Sequence, residues 1–114
     1  MATKVVFITS GTTFTIPSDF GSIVSVEAIG GGGSGVAASS ILSAGGGGGG
    51  GAYAASTAVT GLSANGTAYV SIGAGGSSSG ASGGDTWFNA ASNTAPTLTS
   101  QGVLAKGGSG AVTT

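Results

Sequence analysis

The sequence contains neither cysteine nor histidine in its 114 residues. Without cysteine, the chain can form no disulfide and lacks thiolate chemistry and the ligands of most zinc sites. Without histidine, it lacks the usual general base of enzymes. We therefore predict no catalytic residues, no metal site and no cofactor, and we expect a protein that is not an enzyme.

Charge is equally scarce, because only 4% of the residues are charged, against about 25% in an ordinary domain. Two lysines, Lys4 and Lys106, cannot form the basic patch that nucleic acid requires. Two of the three acidic residues, Asp19 and Glu27, lie near the N-terminus, far in sequence from Asp85. This distribution disfavours the carboxylate pair of a polysaccharide depolymerase. A surface with so little charge does little to oppose association, and we expect a homo-oligomer or filament.

Long apolar runs are also absent. No stretch of 18 apolar residues could form a transmembrane helix, so we expect no membrane insertion. The first apolar run covers only Val5, Val6, Phe7 and Ile8, which is too short for the core of a signal peptide. The same run is β-prone, uncharged and free of proline, so we predict a strand there, and we expect copies of the chain to associate either through this strand or through the glycine slab.

Glycine, in contrast, is abundant, with 26 residues in several clusters. The residues that we expect to pack on one another are Gly30, Gly31, Gly32, Gly33, Gly45, Gly46, Gly47, Gly48, Gly49, Gly50, Gly51, Gly75, Gly76, Gly83, Gly84, Gly107 and Gly108. Glycine loses roughly 0.5–1 kcal/mol more backbone entropy on ordering than alanine does. Close backbone packing, which the missing Cβ permits, would offset that cost. We expect Gly45–Gly51 to be buried in this way.

Two other interpretations of the glycine runs are weaker. Flexible linkers commonly have such a composition. Residues 30–35 also fit the dinucleotide-binding pattern G-x-G-x-x-G, but Glu27 lies in the preceding strand and no acidic residue follows before Asp85. We favour extended glycine packing, either as polyproline-II-type helices or as flat strands, because five glycine-rich segments could form a bundle.

The rest of the chain predicts an all-β fold in a single domain, residues 1–114. Residues 4–9 are rich in β-branched and aromatic side chains, and residues 12–16 and 22–29 alternate between apolar and polar ones, so we interpret residues 1–29 as an antiparallel meander. Residues 30–114 then form glycine-rich layers with loops. Within them, residues 36–43 could be a short helix or a loop, and strands are expected in 52–59, 67–72 and 103–105.

Three side chains are candidates for receptor contact. Trp87 is either an anchor beside Phe88 or an aromatic platform for a sugar or a receptor loop. Asn89 belongs to the same compact cluster, and Tyr53 follows the longest glycine run. Alternation along an extended segment predicts that Trp87 and Phe88 point to opposite faces.

Several stretches of the sequence resemble a known family. They read VFITSGTTFTIP (6–17), VSVEAIGGGG (24–33), AYA (52–54), IGAGG (72–76), GGDTWF (83–88) and AKGG (105–108). This order resembles the glycine-rich domain of bacteriophage tail-fibre proteins and some bacterial surface proteins. The resemblance implies a slab of polyglycine-II helices in a virion tail fibre or an extracellular protein.

The resemblance also implies a function. The slab would be a structural and adhesive module that self-associates and presents loops to a bacterial surface polysaccharide or outer-membrane protein. A self-assembling extracellular filament or matrix protein without a specific receptor is the alternative.

Overall fold

Short β-strands form the regular structure of the protein. The computed structural model describes residues 3–23, 25–41 and 43–112, and within them it has six strands and no helix. The strands are β1 (Thr13–Thr15), β2 (Val26–Ile29), β3 (Tyr53–Ser56), β4 (Thr67–Ser71), β5 (Thr86–Asn89) and β6 (Gly102–Ala105). The predicted all-β class is confirmed. Of the two alternatives for residues 36–43, the described residues take the loop.

The strands form two antiparallel sheets that pack face to face. One sheet has the order β1-β4-β5-β6, and the other contains β2 and β3 alone. The side chains between them form a small apolar core, in which Phe88 is the largest buried side chain and Ala68 is fully buried. The other buried members are Ala28, Val59, Val70, Ala90, Val103 and Ala105. We call this part of the molecule the sandwich.

The predicted N-terminal meander is wrong. Strand β1 pairs with β4, which places Phe14 opposite Ala68, and β2 pairs with β3, which places Ala28 opposite Ala54. The two strands therefore lie in different sheets, and residues 16–25 connect those sheets instead of forming a hairpin. Alternation identified the strands, but it carries no information on which strand completes each ladder.

The segment 4–9 is not a strand. It forms no ladder, and its side chains Val5 and Phe7 are 71% and 86% exposed, whereas Ile8 packs against the core. High β-propensity describes how a side chain fits a sheet, but a strand also needs a partner, and β1 takes the available place beside β4. The positions Val24 and Leu42, which fall in predicted segments, lie outside the described residues.

The molecule is elongated along the strand direction. Its extents are 60 × 26 × 21 Å, and its radius of gyration is 17.3 Å, against about 13 Å for a compact chain of this length. The added length comes from glycine segments that continue five of the six strands beyond the sandwich. We call them the first (30–36), second (45–52), third (73–76), fourth (80–84) and fifth (106–111) glycine segments, and together the glycine bundle.

Candidate functional site

The first and second glycine segments are joined by hydrogen bonds at every third residue. The amides of Gly30, Gly33 and Val36 donate to the carbonyls of Ala52, Gly49 and Gly46 at 2.8, 2.8 and 2.9 Å. The pairing is antiparallel and continues the β2–β3 ladder. A spacing of three residues matches the repeat of a polyproline-II-type helix, and it differs from the two-residue alternation of a β-strand.

The first segment also bonds to the segments of the other sheet. Its amides at Gly31 and Ser34 donate to the carbonyls of Gly84 and Ala81, both at 2.9 Å. Its carbonyls at Gly31, Gly32 and Ser34 accept from the amides of Gly108, Gly76 and Ala111 at 2.8, 2.8 and 3.0 Å. The first segment therefore bonds to the backbone of all four other glycine segments, although Gly32 and Gly35 remain exposed.

The second segment lies at the surface of the bundle. Gly45 to Gly50 are solvent-exposed, so the prediction that the run Gly45–Gly51 is buried is wrong for these six residues. A Cβ added to Gly45, Gly48 or Gly51 would nevertheless lie well under 3.0 Å from a backbone oxygen of the first segment. A Cβ at Gly47 or Gly50 would meet nothing within 4 Å. Gly45, Gly48 and Gly51, three residues apart, therefore have no room for a side chain. Gly47 and Gly50, also three residues apart, face open space.

The connections between the glycine segments lie at the end of the molecule farthest from the sandwich. We call this end the tip and define it as residues 37–41, 43–44, 77–79 and 111–112. The Ala37 amide donates to Ser79 Oγ at 3.4 Å, and the Ser34 hydroxyl donates to the carbonyl of Ser78, so the two connections are tied together. Ile41 at the tip is fully exposed.

Two of the three predicted receptor residues lie on opposite sides of the sandwich. Trp87 is half-buried on the outer face of the four-stranded sheet, between Ser71 and Leu104, and Phe88 points into the core, as alternation predicts. Tyr53 is 61% exposed on the outer face of β2 and β3. One receptor patch cannot include both Trp87 and Tyr53.

The third predicted residue, Asn89, is a loop anchor. Its side chain is 2% exposed. Its Oδ1 accepts from the amides of Ala91 and Ser92 at 2.9 and 3.2 Å, and its Nδ2 donates to the carbonyl of Thr94 at 3.0 Å. Because the loop after β5 uses both ends of this amide, Asn89 offers no free polar atom to a receptor.

The comparison with protein families agrees with the glycine architecture. The family model described as a glycine-rich domain matches residues 8–114. The chain belongs to the glycine-rich domain family. No curated protein and no solved structure matches it.

An ion pair marks the boundary between the sandwich and the bundle of this glycine-rich domain. Lys106 Nζ lies 2.8 Å from Asp85 Oδ2, and the Gly107 amide donates to Oδ1 at 2.9 Å. The hydrogen bond from Lys106, followed by that from Gly107, holds the pKa of Asp85 below its usual value. Asp85 thus links the start of β5 to the fifth glycine segment, a structural role.

Glu27 orients Tyr53 across the two-stranded sheet. The Tyr53 hydroxyl donates to Glu27 Oε1, and Ser25 Oγ donates to Glu27 Oε2 at 3.3 Å. The hydrogen bond to Glu27 raises the pKa of Tyr53. Sequence reasoning missed Glu27 as a partner of Tyr53, because only the register of β2 and β3 brings residues 27 and 53 together.

The described residues show no grouping of three or more acidic side chains that could hold a metal ion. Nor does any helix in the described ranges have the length and apolar character needed to span a membrane.

Proposed function

We propose that this glycine-rich domain is a non-enzymatic structural and adhesive module of a phage tail fibre, which displays its tip to a receptor on a bacterial surface. The observation that supports the display role is the tip itself. Two connections project from a bundle that is hydrogen-bonded on several sides, so they are carried by a stiff support. In this proposal the glycine segments are polyglycine-II helices, as their three-residue hydrogen-bond repeat suggests.

Exposed apolar side chains at the tip support a contact role. Ile41 is 100% exposed and Val112 is 76% exposed, although the chain has few large apolar residues to place at a surface. A receptor that docks on the tip would cover these apolar side chains and remove them from water. The tip also contains serines, including Ser39 and Ser79, and hydroxyl groups can bond either to a polysaccharide or to a protein loop.

Cell binding by tip variants tests this function. A fluorescently labelled chain would be mixed with a panel of bacterial strains, and the double variant Ile41→Ser, Val112→Ser should lose binding to any strain that the unmodified chain binds. The matched control is Leu98→Ser, because Leu98 is 61% exposed in a loop of the sandwich, away from the tip. Equal binding by all three proteins would contradict a receptor role for the tip.

Self-association is the second part of the proposal. Val5 and Phe7 expose apolar side chains outside any ladder, and the nearest charge, Lys4, is paired with Asp19 at 3.4 Å. A segment of this kind can pair with its counterpart in another copy. In the alternative function, a filament or matrix protein without a receptor, this contact would be the main activity.

Sedimentation and electron microscopy distinguish the two functions. Short, capped oligomers favour the fibre module, and unlimited filaments favour the matrix protein. The double variant Val5→Lys, Phe7→Lys should remain monomeric, because its new charges lie on the exposed face of the segment. Thr3→Lys with Thr9→Lys adds the same charge at exposed neighbouring positions and serves as the control. A stable unmodified monomer at high concentration would refute self-association.

A further inference from the structure

The outer face of the two-stranded sheet carries a small, specific set of exposed side chains. Ile29 stands directly opposite Tyr53, and Glu27 stands opposite Ala55. Ile29 and Tyr53 are 68% and 61% exposed, whereas the inward-facing Ala28 of the same sheet is buried. The sheet therefore presents one aliphatic side chain, one aromatic ring and one carboxylate on the side that faces solvent.

The hydrogen bond to Glu27 determines how the Tyr53 ring lies. Because Glu27 is opposite Ala55 and not opposite Tyr53, the hydroxyl reaches the carboxylate diagonally across the two strands. The ring is thus fixed at its hydroxyl end, and Tyr53 remains 61% exposed to solvent.

Unpaired backbone groups continue this face into the glycine bundle. Gly50 and Gly47 precede Tyr53 at three-residue intervals, and a Cβ at either glycine would meet nothing within 4 Å. Within the described part of the chain, the amides of both glycines and the carbonyl of Gly47 have no hydrogen-bond partner, whereas the carbonyl of Gly50 faces Gly108. A ligand lying along the sheet could therefore reach two donors and one acceptor of the backbone without meeting a side chain.

We propose that this face, formed by Glu27, Ile29, Tyr53, Gly50 and Gly47, binds a neutral oligosaccharide chain. The apolar C–H face of a sugar ring stacks on an exposed aromatic ring, and sugar hydroxyls donate to a carboxylate and to carbonyls. The assignment deepens the proposed adhesive function, on which it rests, by naming a ligand class and a second contact surface away from the tip.

Charge and size favour a neutral sugar over the other occupants. The face has a carboxylate and no cation, which opposes an acidic polysaccharide. A second copy of the chain docking on this face would bring two Glu27 carboxylates together. Its two large apolar side chains also fall far short of the roughly 800 Å² that each partner contributes to a standard interface.

Residue-resolved NMR of the full chain tests the assignment. Maltohexaose, cellohexaose and chitohexaose would be titrated separately into the ¹⁵N-labelled protein. The expected result is that at least one of them shifts amide signals of residues 27–29 and 47–55. Tyr53→Ala should weaken that binding about tenfold, and Tyr53→Phe, which keeps the ring, no more than about threefold. The matched control is Tyr69→Ala, which should bind normally because Tyr69 is a half-buried tyrosine of β4 in the other sheet.

Three results would overturn the assignment. The first is that a saccharide shifts only the amide signals of the tip. The second is that the amide signals of residues 27–29 and 47–55 shift when the protein concentration is raised without sugar. The third is that none of the three saccharides shifts any amide signal. The amide spectrum of each variant shows directly whether it is folded. The cell-binding test of Ile41 and Val112 is independent of this titration, so failure here leaves the adhesive function of the tip to its own experiment.

Discussion

Five of the six strands of the sandwich continue into the glycine bundle, but the two regions are held together in different ways. In the sandwich, apolar side chains such as Phe88 and Val103 fill the space between the two sheets and hold them together. Sheets that pack face to face in this way lie about 10 Å apart. In the bundle, the same segments consist mostly of glycine, and they bond to each other through backbone groups, as the amide of Gly31 does to the carbonyl of Gly84. Where the residues have no Cβ, the two layers come close enough for their backbones to form hydrogen bonds, and no apolar core lies between them.

The difference changes what each region tolerates. The sandwich depends on buried apolar volume, so it should be sensitive to the removal of atoms. The bundle depends on close approach of its backbones, so a side chain added where two segments meet should destabilise it. A side chain added on its open face should have little effect. The following variants test that contrast.

Removing the largest core side chain should have the largest effect. Phe88 is 8% exposed, and Phe88→Ala should lower the free energy of unfolding by about 3–5 kcal/mol through lost burial and a cavity. Urea denaturation followed by circular dichroism measures the change. Leu98→Ala, at an exposed position, should stay within about 0.5 kcal/mol. A loss below about 1 kcal/mol for Phe88→Ala would mean that the bundle alone determines stability.

Adding one methyl group to the bundle should have the next largest effect. Gly48→Ala places a Cβ against the backbone of Gly33 and should cost about 3 kcal/mol, at the upper end of ordinary overpacking. Gly47→Ala adds the same methyl group where space is open and φ is not positive. It should be neutral or stabilise by about 0.4–1 kcal/mol. Equal melting temperatures for the two variants would show that the run is an ordinary surface loop.

The polar loop anchor of the sandwich should matter less. Asn89→Ala removes three hydrogen bonds to the loop after β5 and should cost about 1–2 kcal/mol. The exposed Asn93 lies in the same loop, and Asn93→Ala should be close to neutral. Thermal unfolding of the pair distinguishes a structural role for Asn89 from a surface role, which would predict no difference between the variants.

The boundary ion pair should have the smallest effect, and one that depends on pH. Its environment lowers the pKa of Asp85 below the ordinary 3.8. The carboxylate therefore stabilises the fold above about pH 3.8, and that contribution is lost as the pH falls through the lower, folded-state pKa. Asp85→Asn should be less stable than the unmodified chain at pH 7, and the gap should close in acid. A gap that is independent of pH would contradict this account.

The matched control for Asp85 is Asp19. Its ion pair with Lys4 is longer, at 3.4 Å, and joins two exposed side chains. Such surface pairs contribute little, so Asp19→Asn should change the free energy of unfolding at pH 7 less than Asp85→Asn does.

Local sequence patterns predicted more of the strands than of their pairing. Residues 67–72 and 103–105 contain strands because β-branched and aromatic residues there favour extended backbone, and β4 and β6 lie at those places. Alternation also placed Trp87 and Phe88 on opposite faces. The meander and the strand at 4–9 failed for one reason: each depended on a neighbour in space, which sequence adjacency suggested wrongly.

The candidate site shows the same division. Tyr53 could be selected from the sequence as an aromatic residue beside a glycine run, but its partners Glu27 and Ile29 could not, since 24 to 26 residues separate them from it. Asn89 was selected by its neighbours in the chain, and the fold uses it instead to hold a loop. Nothing in the sequence distinguishes Gly47 from Gly48, although one faces solvent and the other faces Gly33.

Residue types and their local order by themselves determined that this protein would be all-β, weakly charged and without histidine or cysteine chemistry, and that its glycines would most need an explanation. These properties depend on residue type and on alternation over short stretches of chain. The tertiary structure decided which glycine faces which backbone, which strands complete each ladder and which side chains meet Tyr53. Those outcomes depend on contacts between distant segments, and a chain with 26 glycines has few side chains to specify such contacts locally.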